Sequence, residues 1–162
     1  MKPELPAPLK ILLAEDDSDD RFFFNKALKE IPIPTQLKTV HNGEELMNYL
    51  TEYSEDIADI LFLDLNMPRK TGLECLTEIK QSKKLMGLHV VTFSTFYARY
   101  INYEQEIVNN LSEIGVHSNI RKPGDFAQLK KVIHNALITA TEIKFLKQEQ
   151  ICKQLTCQKT GI

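Results

Sequence analysis

The chain is poor in cysteine, and the three it has are odd in number and widely spaced: Cys75, Cys152 and Cys157 in 162 residues. That excludes a disulfide-stapled scaffold and favours a reducing, cytoplasmic setting. No apolar stretch approaches the roughly 18 residues that a bilayer requires, so no membrane span is expected. The first eight residues, Met1 to Pro8, are proline-rich and lack the apolar run of a signal peptide. Charge of one sign is missing too. Twenty Lys+Arg against 22 Asp+Glu leave a formal charge of -2, without the basic excess of a dedicated nucleic-acid binder. What remains is 43% hydrophobic and 26% charged residues, the mixture of a folded domain rather than a disordered or fibrous chain. At this length about 70% of the unfolded surface is buried on folding.

Short apolar runs alternate with helical periodicity. Leu9 to Ala14 stops abruptly at Glu15-Asp16-Asp17, and its length suits a strand buried on both faces. Ser18 or Asp19 is placed to cap a helix whose apolar face holds Phe22, Phe23, Ala27 and Leu28. Pro32 and Pro34 break the chain before a second strand over 36–40. Asn42-Gly43 opens a helix through Leu46, Met47 and Leu50, and a third strand over 57–63 ends at Asp64. A helix over 72–80 with Leu73, Leu76 and Ile79 on one side leads to a fourth strand, 89–93, ending at Ser94-Thr95. A fourth helical region reaches about Ile114, and a short strand over 116–120 precedes Arg121-Lys122-Pro123. From Asp125 the period is helical through Phe126, Leu129, Val132, Ile133, Ala136 and Leu137. Five strands alternating with five helices predict an α/β fold with an open sheet. The chain divides into a lead-in over 1–8, one domain over 9–138, and a C-terminal helical extension over 139–162.

Ligand sites in open parallel sheets lie beyond the carboxyl ends of strands, near the point where strand order reverses. Here those ends carry Glu15-Asp16-Asp17, Asp64, Ser94-Thr95 and Lys122. Carboxylates held together repel one another, and burying them uncompensated costs several kcal/mol, a conflict that a divalent cation resolves. Mg²⁺ favours oxygen ligands and bridges carboxylates to phosphate, with Asp16 and Asp64 as direct ligands and Glu15 reaching through water. The acidic run is equally what the first turn of a helix favours, and Asp17, Asp19 and Asp20 are read as solvent-facing residues of that kind. Asp64, fixed by an apolar strand, suits a nucleophilic carboxylate that forms an acyl phosphate. Lys122 and Ser94 supply an ammonium and a hydroxyl for phosphoryl oxygens, although alone the first is also an ordinary exposed loop charge and the second a serine bonded to its own backbone. Together they meet the needs of phosphoryl transfer. A cis Lys122-Pro123 bond would turn the lysine inward; an ordinary trans proline near a helix start is the other reading.

Four motifs in order carry a resemblance: Ile11-Leu12-Leu13-Ala14-Glu15-Asp16-Asp17, Leu63-Asp64-Leu65-Asn66-Met67-Pro68 with Gly72, Phe93-Ser94-Thr95, and Ile120-Arg121-Lys122-Pro123. Over residues 9 to 138 the chain resembles the receiver domain of two-component response regulators. The resemblance implies a doubly wound, five-stranded parallel sheet of order 2-1-3-4-5, the flavodoxin-like receiver fold, which the chemotaxis receiver also follows. It implies that Asp64 accepts a phosphoryl group from a sensor histidine kinase or phosphotransfer protein in an Mg²⁺-dependent reaction. Glu15, Asp16, Asp64 and the backbone carbonyl of Asn66 correspond to the metal shell. Ser94 corresponds to the switch hydroxyl, Thr95 to the small residue after it, and Lys122 to the pocket lysine. Such a protein catalyses its own phosphorylation and dephosphorylation only, and the expectation is a stand-alone regulator that signals through protein contacts.

Two departures from the family stand out. Asn119 occupies the place of an aromatic residue that swings with the hydroxyl, which puts the coupled switch in question. The 28 residues from Ser94 to Lys122 exceed what a compact receiver needs, with Phe96 to Tyr103 as a partner surface or local packing. Arg69-Lys70 is either a docking edge or a solvated turn. The fourth helix and the tail, with Ile143, Leu146, Ile151 and Leu155, are the two candidate surfaces for a homodimer. Cys152 and Cys157 lack metal-ligand neighbours, and the four histidines form no motif. A metal-dependent phosphohydrolase with Asp64 as nucleophile is the main alternative, but its second acid would fall at Asn66. A degenerate receiver that only binds partners is the third reading.

Overall fold

The computed structural model describes residues 7–53, 57–95, 113 and 115–159. The fourth helical region, with Phe96 to Tyr103, lies outside them apart from Glu113, as does most of the lead-in.

Five parallel strands form one sheet: β1 (Leu9–Ala14), β2 (Thr35–Val40), β3 (Ile60–Leu63), β4 (Val90–Ser94) and β5 (Ser118–Arg121), in the order 2-1-3-4-5. The expected topology is therefore observed. β1 lies between two strands, paired with β2 from Leu9↔Thr35 to Ala14↔Val40 and with β3 from Ile11↔Ile60 to Ala14↔Leu63. The order reverses between β1 and β3, so Glu15 and Asp64 leave the sheet side by side at the switch point.

Burial explains why the central strands read as continuous apolar runs. On one face Leu12, Ala14, Leu61, Leu63 and Val90 pack against α2 (Gly43–Glu52) and α3 (Gly72–Gln81). On the other, Leu9, Ile11, Leu13, Phe62 and Phe93 meet α1 (Ser18–Glu30) and α4 (Phe126–Lys159). A helix on each face leaves no polar side for the strand, and alternation survives only at the edge strand β2.

Helix ends follow local capping chemistry. Asp17, rather than Ser18 or Asp19, caps α1, its carboxylate accepting from the backbone N–H of Asp19 and Asp20. Asn42 caps α2 through Glu45 N–H, and Thr71 with Glu74 forms a capping box on α3. Two helix faces differ from the sequence reading. In α1 the buried aromatic is Phe24, one turn before Ala27 and Leu28, while Phe22 and Phe23 are exposed. In α3 the inward set is Gly72, Cys75, Leu76 and Ile79, and Leu73 turns outward. In both cases the buried set keeps the three- and four-residue spacing of one helix face, Phe24-Ala27-Leu28 and Gly72-Cys75-Leu76-Ile79.

α4 has 34 residues, a rod of about 51 Å at 1.5 Å per residue, far longer than a six-residue strand beneath it. No described side chain after Ala140 is fully buried, and Phe145, Leu146, Ile151 and Leu155 are exposed.

Candidate functional site

Glu15, one residue beyond β1, is 1% exposed and anchored by its backbone N–H to the Val40 carbonyl. Asp64 follows β3, is 5% exposed, and donates its backbone N–H to the Ala14 carbonyl at 3.0 Å. The adjoining Asp16 is exposed. Oxygens of Glu15, Asp16 and Asp64 all lie within 4.8 Å of one another. Arg21 fixes the acidic loop, donating from Nη1 to the carbonyls of Glu15 and Asp16 at 3.0 and 2.8 Å.

Lys122 enters from the opposite side, its backbone N–H bound to the Ser94 carbonyl at 2.9 Å. No peptide bond among the described residues is cis, so the lysine reaches the pocket through a trans Lys122–Pro123 bond. Its ammonium lies 2.5 Å from Glu15 Oε2, 2.8 Å from Asp20 Oδ2 and 3.3 Å from Asp64 Oδ2. Burial pushes Glu15 up to about 7, and Lys122 pulls it partly back. Burial alone would push Lys122 down, but the Asp20 and Glu15 carboxylates more than offset this and hold it charged.

One atom awaits a partner. The Ser94 hydroxyl is buried without a hydrogen bond, and Ser94 is 1% exposed. A buried orphan hydroxyl costs about 1–3 kcal/mol unless something fills it. Three clustered carboxylates sharing one lysine are likewise undercompensated. The donor set is all oxygen, which fits a hard divalent cation.

Of the residues singled out from sequence, Glu15, Asp16, Asp64 and Lys122 come together here, and Ser94 ends the neighbouring strand β4 with its carbonyl on the Lys122 N–H. Thr95 is exposed at the end of β4. Asn66 is exposed too, and its backbone N–H donates to Asp64 Oδ1 at 3.0 Å. Asn119, the departure from the family's aromatic position, accepts from the Thr92 hydroxyl at 2.7 Å and ties β4 to β5. Arg69 and Lys70 pair with Glu44 and Glu78. Asp20, read from sequence as facing solvent, belongs to the pocket instead, because Lys122 reaches it. In sequence it was indistinguishable from the other acidic residue of the first turn of α1. Sequence also gave no hint that His89 and His117 stack, with ring centroids 4.4 Å apart.

The loop bearing Asp64 is held by close backbone approach. A methyl at Gly72 would sit 2.1 Å from the Asp64 carbonyl oxygen, whereas at Gly124 nothing lies within 4 Å. Gly72→Ala is expected to cost about 1–3 kcal/mol in denaturant unfolding, with Gly124→Ala nearly neutral. Equal losses would contradict the packing described.

The family model for the response regulator receiver domain matches residues 11–134. The chain belongs to this family. Response regulator Rcp1 from Synechocystis is 29% identical over 82% of this chain and 89% of its own length. Among solved structures, the phosphorylated cyanobacterial phytochrome response regulator RcpA superposes with a TM-score of 0.69 at 31% identity, covering 80% of this chain and 91% of that one. The Mn²⁺-bound form of Rcp1 gives 0.67 at 30% identity over 79% and 91%. As a receiver, the chain's chemistry is its own phosphorylation and dephosphorylation, and its carboxylate cluster suits a divalent metal. Among the described residues no helix is long and apolar enough to cross a membrane.

Proposed function

We propose that Asp64 is the phosphoacceptor, that Glu15, Asp16, Asp64 and the Asn66 carbonyl hold Mg²⁺, and that Ser94, Thr95 and Lys122 attend the phosphoryl group. The observation that carries this reading is a buried lysine 3.3 Å from a strand-end carboxylate that also belongs to an all-oxygen cluster. An Asp64 oxygen attacks the phosphorus of a phosphohistidine. The P–N bond breaks, an acyl phosphate forms, and the imidazole nitrogen leaves with the electron pair. Lys122 sits beside the Asp64 carboxylate before attack and donates to a phosphoryl oxygen afterwards. Ser94 gains in the phosphorylated state the hydrogen bond it lacks here. A bound dication neutralises the added charge, about -1.5 to -2.

The donor is a sensor histidine kinase or phosphotransfer protein, and the relatives named for phytochrome make a kinase of that kind the first to try. Beside the pocket, Phe22, Phe23 and Phe126 form an aromatic rim suited to a protein partner. The C-terminal extension offers a homodimer through Phe145, Leu146, Ile151 and Leu155, in a cytoplasmic protein. A one-chain mass by light scattering, with and without a beryllofluoride phosphoryl mimic, would overturn the dimer. A small acyl phosphate with Mg²⁺ is expected to label wild-type protein with one phosphoryl group per chain. Many phosphomonoester turnovers per protein would favour the phosphohydrolase instead.

A further inference from the structure

Lys122 has one more carboxylate than the phosphoryl chemistry uses. Glu15 and Asp64 belong to the oxygen triad that fits a cation, but Asp20 does not. Asp20 sits in the first turn of α1, where Asp17 takes the capping duty and accepts its N–H at 3.0 Å. That frees the Asp20 carboxylate to point at Lys122, 2.8 Å away across 102 residues of sequence. Both residues line a cavity of about 220 Å³ shared with Phe23, Phe93 and Phe126. The pair thus forms the wall between the acidic pocket and an aromatic cleft.

When a dication occupies the triad, Lys122 must share Glu15 and Asp64 with it and gains a like charge as neighbour. The Lys122 side chain is 9% exposed, so turning to water is not an easy escape. Asp20 is the carboxylate at hydrogen-bond distance that a cation leaves alone. From this we infer that Asp20 is a positioning residue: it retains the Lys122 ammonium at the pocket wall when the metal is bound, one N–H on Asp20 and the others free for phosphoryl oxygens. The inference rests on Asp64 being the phosphoacceptor.

The test is a cycle of Asp20→Asn, Lys122→Ala and the double variant, all in the full chain. Initial labelling rates are measured by intact mass against acyl phosphate concentration at saturating Mg²⁺. Asp20→Asn is expected to lower the maximal rate about tenfold, as misplacement of an attending group does, while leaving the half-saturating donor concentration within about twofold. In the Lys122→Ala background the same substitution is expected to change nothing, because Asp20 acts through the lysine. Equal losses in both backgrounds would overturn the inference. So would a changed half-saturation at an unchanged maximal rate, which would make Asp20 a repeller of the anionic donor. Unfolding in chelator supplies a readout free of phosphorylation. Non-additive losses of denaturant midpoint support the pairing, and additive ones overturn it. If wild-type protein takes no label, the phosphoacceptor assignment fails while the chelator cycle still decides the pairing.

Discussion

Asp64→Asn is expected to abolish phosphoryl uptake from an acyl phosphate with Mg²⁺, while leaving the protein folded. The loss should be complete because no other described carboxylate combines the required features. Glu15 is buried and paired to Lys122, Asp16 lies out on the exposed loop, and Asp20 lies behind the lysine. Only Asp64 adjoins both the lysine and the end of the strand next to Ser94. The amide keeps the shape, and its oxygen can still accept the Asn66 N–H. Removing the charge also relieves part of the repulsion that helps raise Glu15. Thermal unfolding in chelator should therefore show no decrease in stability relative to wild type. Labelling of the variant at wild-type stoichiometry would defeat the assignment, and a collapsed melting transition would defeat the account of the pocket's electrostatics.

The sequence carried the sheet and most of the pocket for a physical reason. Strands covered on both faces must be apolar throughout, so β1, β3 and β4 stand out, and the polar residue that ends each one is conspicuous. Four such ends on one edge of a parallel sheet meet by topology alone. Asp20 was harder to see, because a carboxylate in the first turn of a helix already has an explanation in the helix dipole. Only the lysine arriving from β5 gives it a second one. Phe24 against Phe22 and Phe23 turned on a rotation of about 100° per residue, which three consecutive phenylalanines cannot specify. Stacking of His89 on His117 depends on the register of β4 with β5, where His117 N–H meets the Val90 carbonyl. Residues 28 apart with a helix-sized connection between them show no such register in the sequence.

That histidine pair gives the chain an acid-sensitive point away from the acidic pocket. His89 is 4% exposed, its Nδ1 has no partner, and burial pushes it down to about 4. His117 is lowered too, chiefly by burial, and its Nδ1 accepts the Val90 N–H at 3.3 Å, which a protonated nitrogen would not do. Lys80 and Lys147 add positive charge around both rings. In the unfolded chain a histidine takes its proton near 6.5, so below that pH the unfolded state binds more protons than the folded one. Stability from His89 is therefore complete above pH 6.5 and lost as pH falls toward 4, about 3 kcal/mol in all and about 2 kcal/mol by pH 5. Glu15 runs the other way in metal-free protein. Its folded value of about 7 lies above the ordinary 4.5, so protonation across that window stabilises the fold. The two slopes oppose, and the wild-type profile alone would hide both. The difference between wild type and His89→Leu cancels the Glu15 contribution. Urea unfolding of both proteins at pH 7 and pH 5 is expected to show that difference moving by about 2 kcal/mol in favour of the leucine variant at the lower pH. A difference that stays constant would mean that His89 is protonated in the folded protein as readily as in water, and that the stacked pair is not shielded as the packing indicates.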